Sequence, residues 1–298
     1  MVKNKFLGNG FYLSIIAFVL LMSIASVSDL KISNLVINYN SWFAILFQVI
    51  GELPLYLIFV IAGEFAMGYA LRIKKHDQCF SLALFVAGFS LSLWQLKLCI
   101  NEIYVYIDSA SNNLNHGLPV GLASTINDTS AHSSGIATLL ICLVIWGVIT
   151  LVMQSLIEKM SEQKVKKLLL ISVFASATAW FALEANLALK DTWGRYRPYE
   201  IGKSAEHFTN WFQINGKTGH KSFPSGHTMA ATLAIVGSWF VADKYRKATF
   251  YCGLGWAILV GFSRLIIGAH FMSDITFSFF LTLLIIFTMN RILKIYLK

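Results

Sequence analysis

The chain has 298 residues, of which 56% are hydrophobic and only 13% are charged, and its mean hydropathy is +0.64. A soluble domain carries about 25% charged residues, so this composition excludes an ordinary soluble fold. The net charge of +9 would suggest nucleic acid on a soluble protein, but its distribution follows membrane topology, as set out below. We therefore predict an integral membrane protein with no nucleic-acid partner.

Apolar runs of about 20 residues, the length that spans a bilayer, predict an all-α, polytopic membrane helix bundle. About eight transmembrane helices are expected near 10–28, 47–72, 80–107, 135–158, 167–189, 226–242, 249–268 and 271–293. No linker or repeat divides the chain, so we predict a single domain over residues 1–298. Residues 1–28 also resemble a signal peptide, but the long apolar run favours an uncleaved first helix.

The second predicted helix contains Glu52, Pro54 and Glu64. Carboxylates are costly beside lipid, and proline interrupts a helix. These residues predict a polar-lined or kinked helix. They leave open whether its carboxylates line a substrate cleft or face a neighbouring helix.

Basic residues alternate between the predicted loops. Fifteen of the 24 lysines and arginines belong to the termini and to three loops: Lys3, Lys5, Arg72, Lys74, Lys75, Lys159, Lys164, Lys166, Lys167, Lys244, Arg246, Lys247, Arg291, Lys294 and Lys298. The opposite loops include 108–134, which is polar, lacks Lys and Arg, and contains a weak glycosylation triplet at Asn127. The positive-inside rule then predicts cytoplasmic termini, with the motifs described next on the extracytoplasmic side of the plasma membrane.

Three motifs in the last third of the chain place cations and histidines where one phosphate could be held and attacked. They are Lys190-x6-Arg197-Pro198, Pro224-Ser225-Gly226-His227 and Ser263-Arg264-x5-His270-x3-Asp274. Each falls at the end of a predicted membrane helix. Charged residues in such positions are expensive and usually functional, which points to chemistry on a phosphorylated lipid.

The cations and the second motif predict a phosphate-binding site. Arg197 and Arg264 offer planar forks for two phosphate oxygens, and Lys190 adds a point charge. Ser225 and Gly226 open an apolar run, so they are expected at a helix N-terminus, where free N–H groups and the helix dipole favour an anion.

The histidines predict the reacting groups. His270 and Asp274 are four residues apart, which places them one turn apart on a single helix face. The carboxylate could then accept from one ring nitrogen and leave the other free to attack phosphorus. His227, at the N-terminus of a predicted helix, is the natural proton donor to the departing lipid oxygen.

The surroundings of the first motif leave two questions open. Arg195, inside the spacer, could add a phosphate contact, but a solvated loop arginine is the favoured interpretation. Residues 199–223 mix aromatic rings such as Phe208 and Trp211 with several cations. They suit an interfacial segment that meets the headgroup or, equally, an ordinary aromatic belt.

Taken together, the three motifs resemble those of the type 2 phosphatidic acid phosphatase family, which shares its site with vanadium-dependent haloperoxidases. The resemblance covers about residues 167–290. It implies a six-helix core, no metal or other cofactor, and a phosphohistidine intermediate on His270, which Asp274 orients. His227 would act as general acid and then as base. The residues implied to hold the phosphate are Lys190, Arg197, Ser225, Gly226 and Arg264.

We therefore expect a metal-independent membrane lipid phosphatase that acts on a lipid phosphate or diphosphate in the outer leaflet. Polyprenyl diphosphate, phosphatidylglycerophosphate and phosphatidic acid are the candidate substrates. A phosphotransferase with the same phosphohistidine and a non-water acceptor is the alternative. A lipid-phosphate binder or transporter is disfavoured because binding alone requires no nucleophile, and a haloperoxidase is disfavoured because the site is tied to membrane helices.

Overall fold

The computed structural model describes residues 3–123, 135–202 and 206–297. Within these ranges the chain is helical and contains no strand, which confirms the predicted all-α bundle. The α-helices are α1 (Lys3–Val36), α2 (Trp42–Ile50), α3 (Leu53–Ile73), α4 (Gln78–Asn115), α5 (Gly135–Glu158), α6 (Glu162–Trp193), α7 (Pro198–Ile201), α8 (Gly226–Thr232), α9 (Asp243–Ile266) and α10 (Met272–Tyr296). A 3-10 helix, Leu233–Trp239, follows α8 directly.

Seven segments of the described chain are long and apolar enough to cross a membrane, rather than the eight predicted. They are Tyr12–Val36, Trp42–Ile73, Gln78–Asn115, Thr138–Glu158, Glu162–Ile201, Asp243–Ile266 and Met272–Tyr296. The predicted helix 226–242 is instead α8 followed by the 3-10 helix. Its run is apolar because it is buried inside the bundle, where residues 227–233 are all buried.

The 3-10 helix lengthens this buried segment. Seven residues of α8 and seven of the 3-10 helix advance about 25 Å, since a 3-10 helix rises about 2.0 Å per residue against 1.5 Å in an α-helix. The short segment therefore covers a distance close to the roughly 30 Å of a bilayer core.

The predicted helix 47–72 is two helices that meet at Gly51 and Glu52. Pro54 lies in the first turn of α3, where its missing N–H costs no helical hydrogen bond. A Cβ on Gly51 would lie 3.4 Å from Cδ2 of His227. The break thus lets the α2–α3 junction approach α8 closely, and it aims Glu52 toward the same region.

Glu64 faces neighbouring helices, which answers for this residue the question left open by the sequence. Its side chain is buried in α3 and accepts hydrogen bonds from Ser92 of α4 at 2.9 Å, Thr150 of α5 at 2.8 Å and Gln154 of α5 at 2.9 Å. A buried carboxylate with this many donors holds three helices together.

We call the end of the bundle that carries the three motifs the site end. The loop between α1 and α2 bonds to two other segments there. Asn38 N donates to Ile266 O at the end of α9 at 2.8 Å, and Gly121 N, in the segment after α4, donates to Tyr39 O at 2.8 Å. The opposite end holds a cavity of about 810 Å³ bordered by Lys164, Arg246, Lys247 and Lys294 among other residues.

The chain from 108 to 134 is only partly a loop. Helix α4 continues to Asn115, beyond the predicted end at 107, and the Asn113 amide donates to the carbonyls of Val120 at 3.1 Å and Leu122 at 2.6 Å. The predicted glycosylation triplet at Asn127 lies outside the described residues.

Candidate active site

One cavity of about 590 Å³ at the site end brings the three motifs together. The predicted residues that line it are Lys190, Arg197, Gly226, His227, Arg264 and His270. Ser225 and Asp274 are fully buried and do not line the cavity themselves. Residues up to 80 positions apart in the three motifs therefore converge on one space.

Lys190 and Arg197 share a backbone anchor. Helix α6 extends to Trp193, so Lys190 lies in its last turn and not in the loop after residue 189, and Gly194 ends the helix in the left-handed conformation at φ +53°. The Lys190 ammonium donates to Lys221 O at 3.1 Å, and Arg197 Nη2 lies 3.5 Å from the same carbonyl. This shared acceptor holds both cations at one side of the cavity.

Ser225 is the N-cap of α8, as predicted. Its hydroxyl oxygen accepts from Thr228 N at 3.3 Å, and Ser278 and Asn186 donate to its carbonyl at 2.6 and 3.3 Å. A Cβ on Gly226 would lie 3.9 Å from the Lys190 ammonium. Glycine therefore leaves the space between the α8 terminus and this cation open.

Arg264 reaches the cavity from the last turn of α9 and is almost completely buried. One guanidinium nitrogen, Nη2, donates to Gln48 Oε1 at 2.9 Å. Its Nε is buried without a hydrogen-bond partner among the described residues. A buried charged donor left unpaired is costly, and an anion in the cavity would satisfy it.

His270 and Asp274 do not share a helix face, which corrects the prediction. His270 precedes α10, and only Asp274 lies in its first turn. His270 Nδ1 lies 2.7 Å from Ser222 O and 3.7 Å from Asp274 Oδ2. Because a carbonyl can only accept, Nδ1 carries the proton and Nε2 keeps its lone pair.

Asp274 is linked to the imidazole of His270 indirectly, by hydrogen bonds through Ser222. The Ser222 hydroxyl donates to Asp274 Oδ2 at 2.5 Å, and the backbone N–H of Phe271 donates to the same oxygen at 2.9 Å. The carboxylate thus fixes the segment whose carbonyl binds the imidazole. Sequence spacing could not reveal Ser222, which belongs to none of the three motifs.

Burial lowers the pKa of His270 well below the ordinary histidine value. The nearby carboxylate of Asp274 acts in the opposite direction, while the charges of Arg197 and Lys190 add to the lowering. The imidazole is therefore neutral at pH 7, the state that a nitrogen nucleophile requires.

Arg195 is not a solvated loop residue, because its side chain is completely buried. It forms ion pairs with Asp274 at 2.6 Å and with Asp29 of α1 at 3.0 Å. Its Nη1 also donates to Ser273 Oγ at 2.8 Å, and its guanidinium lies 4.2 Å from the Phe271 ring centroid. Arg195 is thus a structural link beneath the cavity.

His227 has protein partners at both ring nitrogens. Nδ1 lies 2.9 Å from Glu52 Oε1, and Nε2 lies 3.1 Å from Gln48 O. The ring also packs edge-on against Tyr106 at a centroid distance of 5.5 Å. Sequence reasoning had singled out Glu52 as costly in lipid but could not assign it to this histidine.

The aromatic segment before the second motif packs inward at two positions. Phe208 contacts the ring of Phe271 edge-on at 5.4 Å, and Trp211 Nε1 donates to Ser26 Oγ of α1 at 2.8 Å. Phe212, by contrast, is exposed. Lys203 lies outside the described residues. Phe208 and Trp211 therefore connect the site to α1.

The described residues contain no group of three His, Cys, Asp or Glu side chains arranged to hold a metal ion. The cations that line the cavity, Lys190, Arg197 and Arg264, are protein side chains.

Comparisons with known proteins agree with this geometry. The family described as the PAP2 superfamily matches residues 165–296. A lipid A 1-phosphatase of Rhizobium etli is 35% identical over 116 residues, covering 35% of this chain and 43% of the relative. A phosphatidylglycerophosphatase B of Bacillus subtilis is 38% identical over 73 residues, covering 22% of this chain and 36% of the relative.

A lipid A 4'-phosphatase of Rhizobium etli is 33% identical over 106 residues, covering 35% of this chain and 41% of the relative. The matched segments thus span less than half of each of these relatives. No solved structure shows a significant match.

Proposed function

We propose that this chain, whose residues 165–296 match the PAP2 superfamily, is an integral membrane phosphatase that hydrolyses a terminal phosphate from a lipid phosphate. One observation carries this proposal: a single cavity is lined by Lys190, Arg197, Arg264, His227 and His270. Three cations and two imidazoles around one space match the needs of phosphoryl transfer, which are charge neutralisation, a nucleophile and an acid.

The cations suit a phosphate better than a carboxylate. Arg264 enters from α9, Lys190 from the last turn of α6 and Arg197 from the loop before α7, so they can contact separate non-bridging oxygens. The unpaired Nε of Arg264 adds a donor that an anion would satisfy. The N-terminal N–H groups of α8 at Gly226 supply further positive potential.

In the first step, His270 Nε2 attacks phosphorus and the bond between phosphorus and the lipid oxygen breaks. The leaving oxygen takes the electron pair of that bond and a proton from His227. Ser222 O keeps the proton on His270 Nδ1, so the new P–N bond forms at Nε2. The product is a phosphohistidine and a lipid alcohol.

In the second step, water attacks the phosphohistidine. His227, now neutral, accepts a proton from that water as the new P–O bond forms. The P–N bond breaks and its electron pair returns to His270 Nε2. Inorganic phosphate leaves, and both histidines return to their starting states.

The lipid part of the substrate fits the remaining cavity wall. Trp180, Leu183 and Leu187 of α6 and Phe59 of α3 line the same cavity, which gives an apolar route from the phosphate site to the bilayer. The relatives described above are phosphatases of lipid A and of phosphatidylglycerophosphate. Lipid A therefore joins phosphatidylglycerophosphate, phosphatidic acid and polyprenyl diphosphate as a candidate substrate class.

The positive-inside distribution supports an extracytoplasmic site in the plasma membrane. The cavity bordered by Lys164, Lys247 and Lys294 at the opposite end of the bundle agrees with a cytoplasmic location for that end. The substrate would then come from the outer leaflet.

The test is phosphate release by purified protein in detergent, measured with those four lipids in the presence of excess EDTA. We expect release from at least one lipid and none from His270→Ala. Strict dependence on a divalent metal would contradict the proposal. Phosphate found only on an added acceptor would identify a phosphotransferase, and saturable lipid binding without turnover would identify a binder.

A further inference from the structure

We propose that Glu52 is a positioning residue for the acid–base histidine, so that His227 and Glu52 form a second histidine–carboxylate pair beside that of His270 and Asp274. This inference rests on the proposed function and assigns a role to a residue outside the matched region 165–296. Glu52 enters from the α2–α3 junction, more than 100 residues before the first motif.

The contacts of His227 define its hydrogen-bond pattern. Gln48 O, 3.1 Å from Nε2, can only accept, so Nε2 carries a proton. Glu52 Oε1, 2.9 Å from Nδ1, accepts as a carboxylate. Both ring nitrogens therefore act as donors, which is the pattern of an imidazolium and of a competent proton donor.

The break between α2 and α3 creates this arrangement. Gln48 lies in the last turn of α2, and Glu52 occupies the N-cap position of α3, where its side chain forms no capping hydrogen bond. Gln48 also accepts from Arg264 through its side chain at 2.9 Å. One short junction thus fixes the ring plane of His227 and the position of a phosphate-binding arginine.

Charges from every surrounding element act on His227. Burial of the ring lowers the pKa of His227, and the positive charge of Arg264 of α9 adds to this lowering. Lys190 of α6 lies near enough to interact with Glu52. Tyr106 of α4 packs on the ring, and Glu102 of α4 is close to Glu52. Among these groups Glu52 is the carboxylate in contact with the imidazole, so it is the one that offsets the cations.

The proposed role has a defined proton balance. During attack by His270, the Nε2 proton of His227 leaves its hydrogen bond to Gln48 O and moves to the leaving lipid oxygen. Glu52 keeps its negative charge beside Nδ1–H. During hydrolysis, Nε2 takes a proton from water and restores the imidazolium. Glu52 gains and loses no proton in either step.

Glu52→Gln removes the charge and nearly preserves the shape, so it tests the proposal directly. An alkyl lipid phosphate such as dioctanoyl phosphatidic acid needs an acid for its leaving oxygen, whereas p-nitrophenyl phosphate leaves without one. We expect kcat to fall about 10²-fold with the lipid and less than about threefold with p-nitrophenyl phosphate. KM should stay within about twofold for both substrates.

The pH profile gives a second measure. Without the carboxylate, His227 loses its proton more easily, so the alkaline limb of kcat/KM should move at least about 1 unit toward lower pH in Glu52→Gln. Glu52→Asp keeps the charge and should leave the limb near its wild-type position. In a His227→Ala background, Glu52→Gln should cause no further loss with the lipid, because the two residues act as one unit.

Glu64→Gln is the matched control. It removes a buried carboxylate from the same helix, about 18 Å along its axis from Glu52, and should reduce thermal stability without a dependence on the leaving group. Equal losses of Glu52→Gln on both substrates, or an unmoved alkaline limb, would overturn the inference. A wild-type protein that releases phosphate from neither substrate would instead refute the proposed function.

Discussion

The Arg195 guanidinium donates to the carboxylate of Asp274 at 2.6 Å, and both side chains are completely inaccessible to solvent. The second guanidinium nitrogen pairs with Asp29 of α1 at 3.0 Å, and Asp29 in turn accepts from the backbone and hydroxyl of Ser273. The first helix and the start of α10 are therefore joined by one buried charge cluster directly below His270.

This cluster predicts a large stability effect. Arg195→Ala should lower the free energy of unfolding by about 3–5 kcal/mol, because two buried carboxylates lose their shared cation. Thermal unfolding in detergent measures the change. Arg246→Ala is the control, since Arg246 forms an exposed pair with Asp243 at 2.8 Å and should cost less than about 1 kcal/mol. Similar losses in both variants would contradict the structural role of Arg195.

The nucleophile can be tested by trapping the intermediate. Rapid acid-free quenching of wild-type protein with ³²P-labelled substrate should yield a phosphoprotein with the acid lability of phosphohistidine. His270→Ala should give no label and lose at least about 10³-fold in kcat, since no other group replaces the nucleophile. Its melting temperature should change little, because the ring lines a cavity. A labelled His270→Ala protein would exclude this intermediate.

Asp274→Asn should reduce both activity and stability. It weakens the acceptor for Ser222, whose carbonyl holds the His270 proton, and it breaks the ion pair with Arg195. We expect a loss of about 10²-fold or more in kcat together with a lower melting temperature. Ser222→Ala isolates the first effect, because Arg195 keeps its partner; it should lose activity with a smaller change in stability.

The pH dependence follows from the burial of His270. Its pKa lies well below the ordinary histidine value, so the imidazole stays neutral until the medium is distinctly acidic. The acid limb of the kcat/KM profile should therefore lie below pH 6.5. The same group should make the protein less stable as pH falls through that range, because the unfolded histidine binds a proton that the folded one resists. An acid limb above pH 7 would contradict this assignment.

Arg264 predicts a difference between arginine and lysine. Arg264→Lys keeps one charge but removes Nε and the planar fork, so it cannot hold Gln48 and a phosphate oxygen together. We expect kcat/KM to fall about 10–100-fold, together with weaker inhibition by vanadate, a phosphate mimic. If lysine supports wild-type vanadate affinity, the unpaired Nε is not a phosphate donor.

Sequence reasoning identified the residues that we propose to carry the chemistry, because each motif places unusual charges beside apolar runs. Lys190, Arg197, Arg264, His227 and His270 were all predicted, and all line one cavity. The bundle was predictable for the same reason, since apolar runs of bilayer length have few other uses.

The connections between these residues were not predictable. Arg195 was interpreted as solvated because nothing local reveals its partner Asp29, which is 166 residues away. The placement of His270 outside α10 depends on where that helix begins, a boundary that hydrophobic patterns locate only within a few residues. The partnership of Glu52 with His227 depends on a helix break, whose direction Pro54 does not specify.

The site draws on both halves of the chain, and this limits modular exchange between relatives. Asp29, Gln48 and Glu52 precede the matched region 165–296, yet they contact Arg195, Arg264 and His227 within it. A chimera that imports only the C-terminal region of a relative would combine a foreign catalytic centre with unmatched supports. A chimera designed to transfer substrate preference must therefore include α1 through α4 together with the motifs that these helices contact.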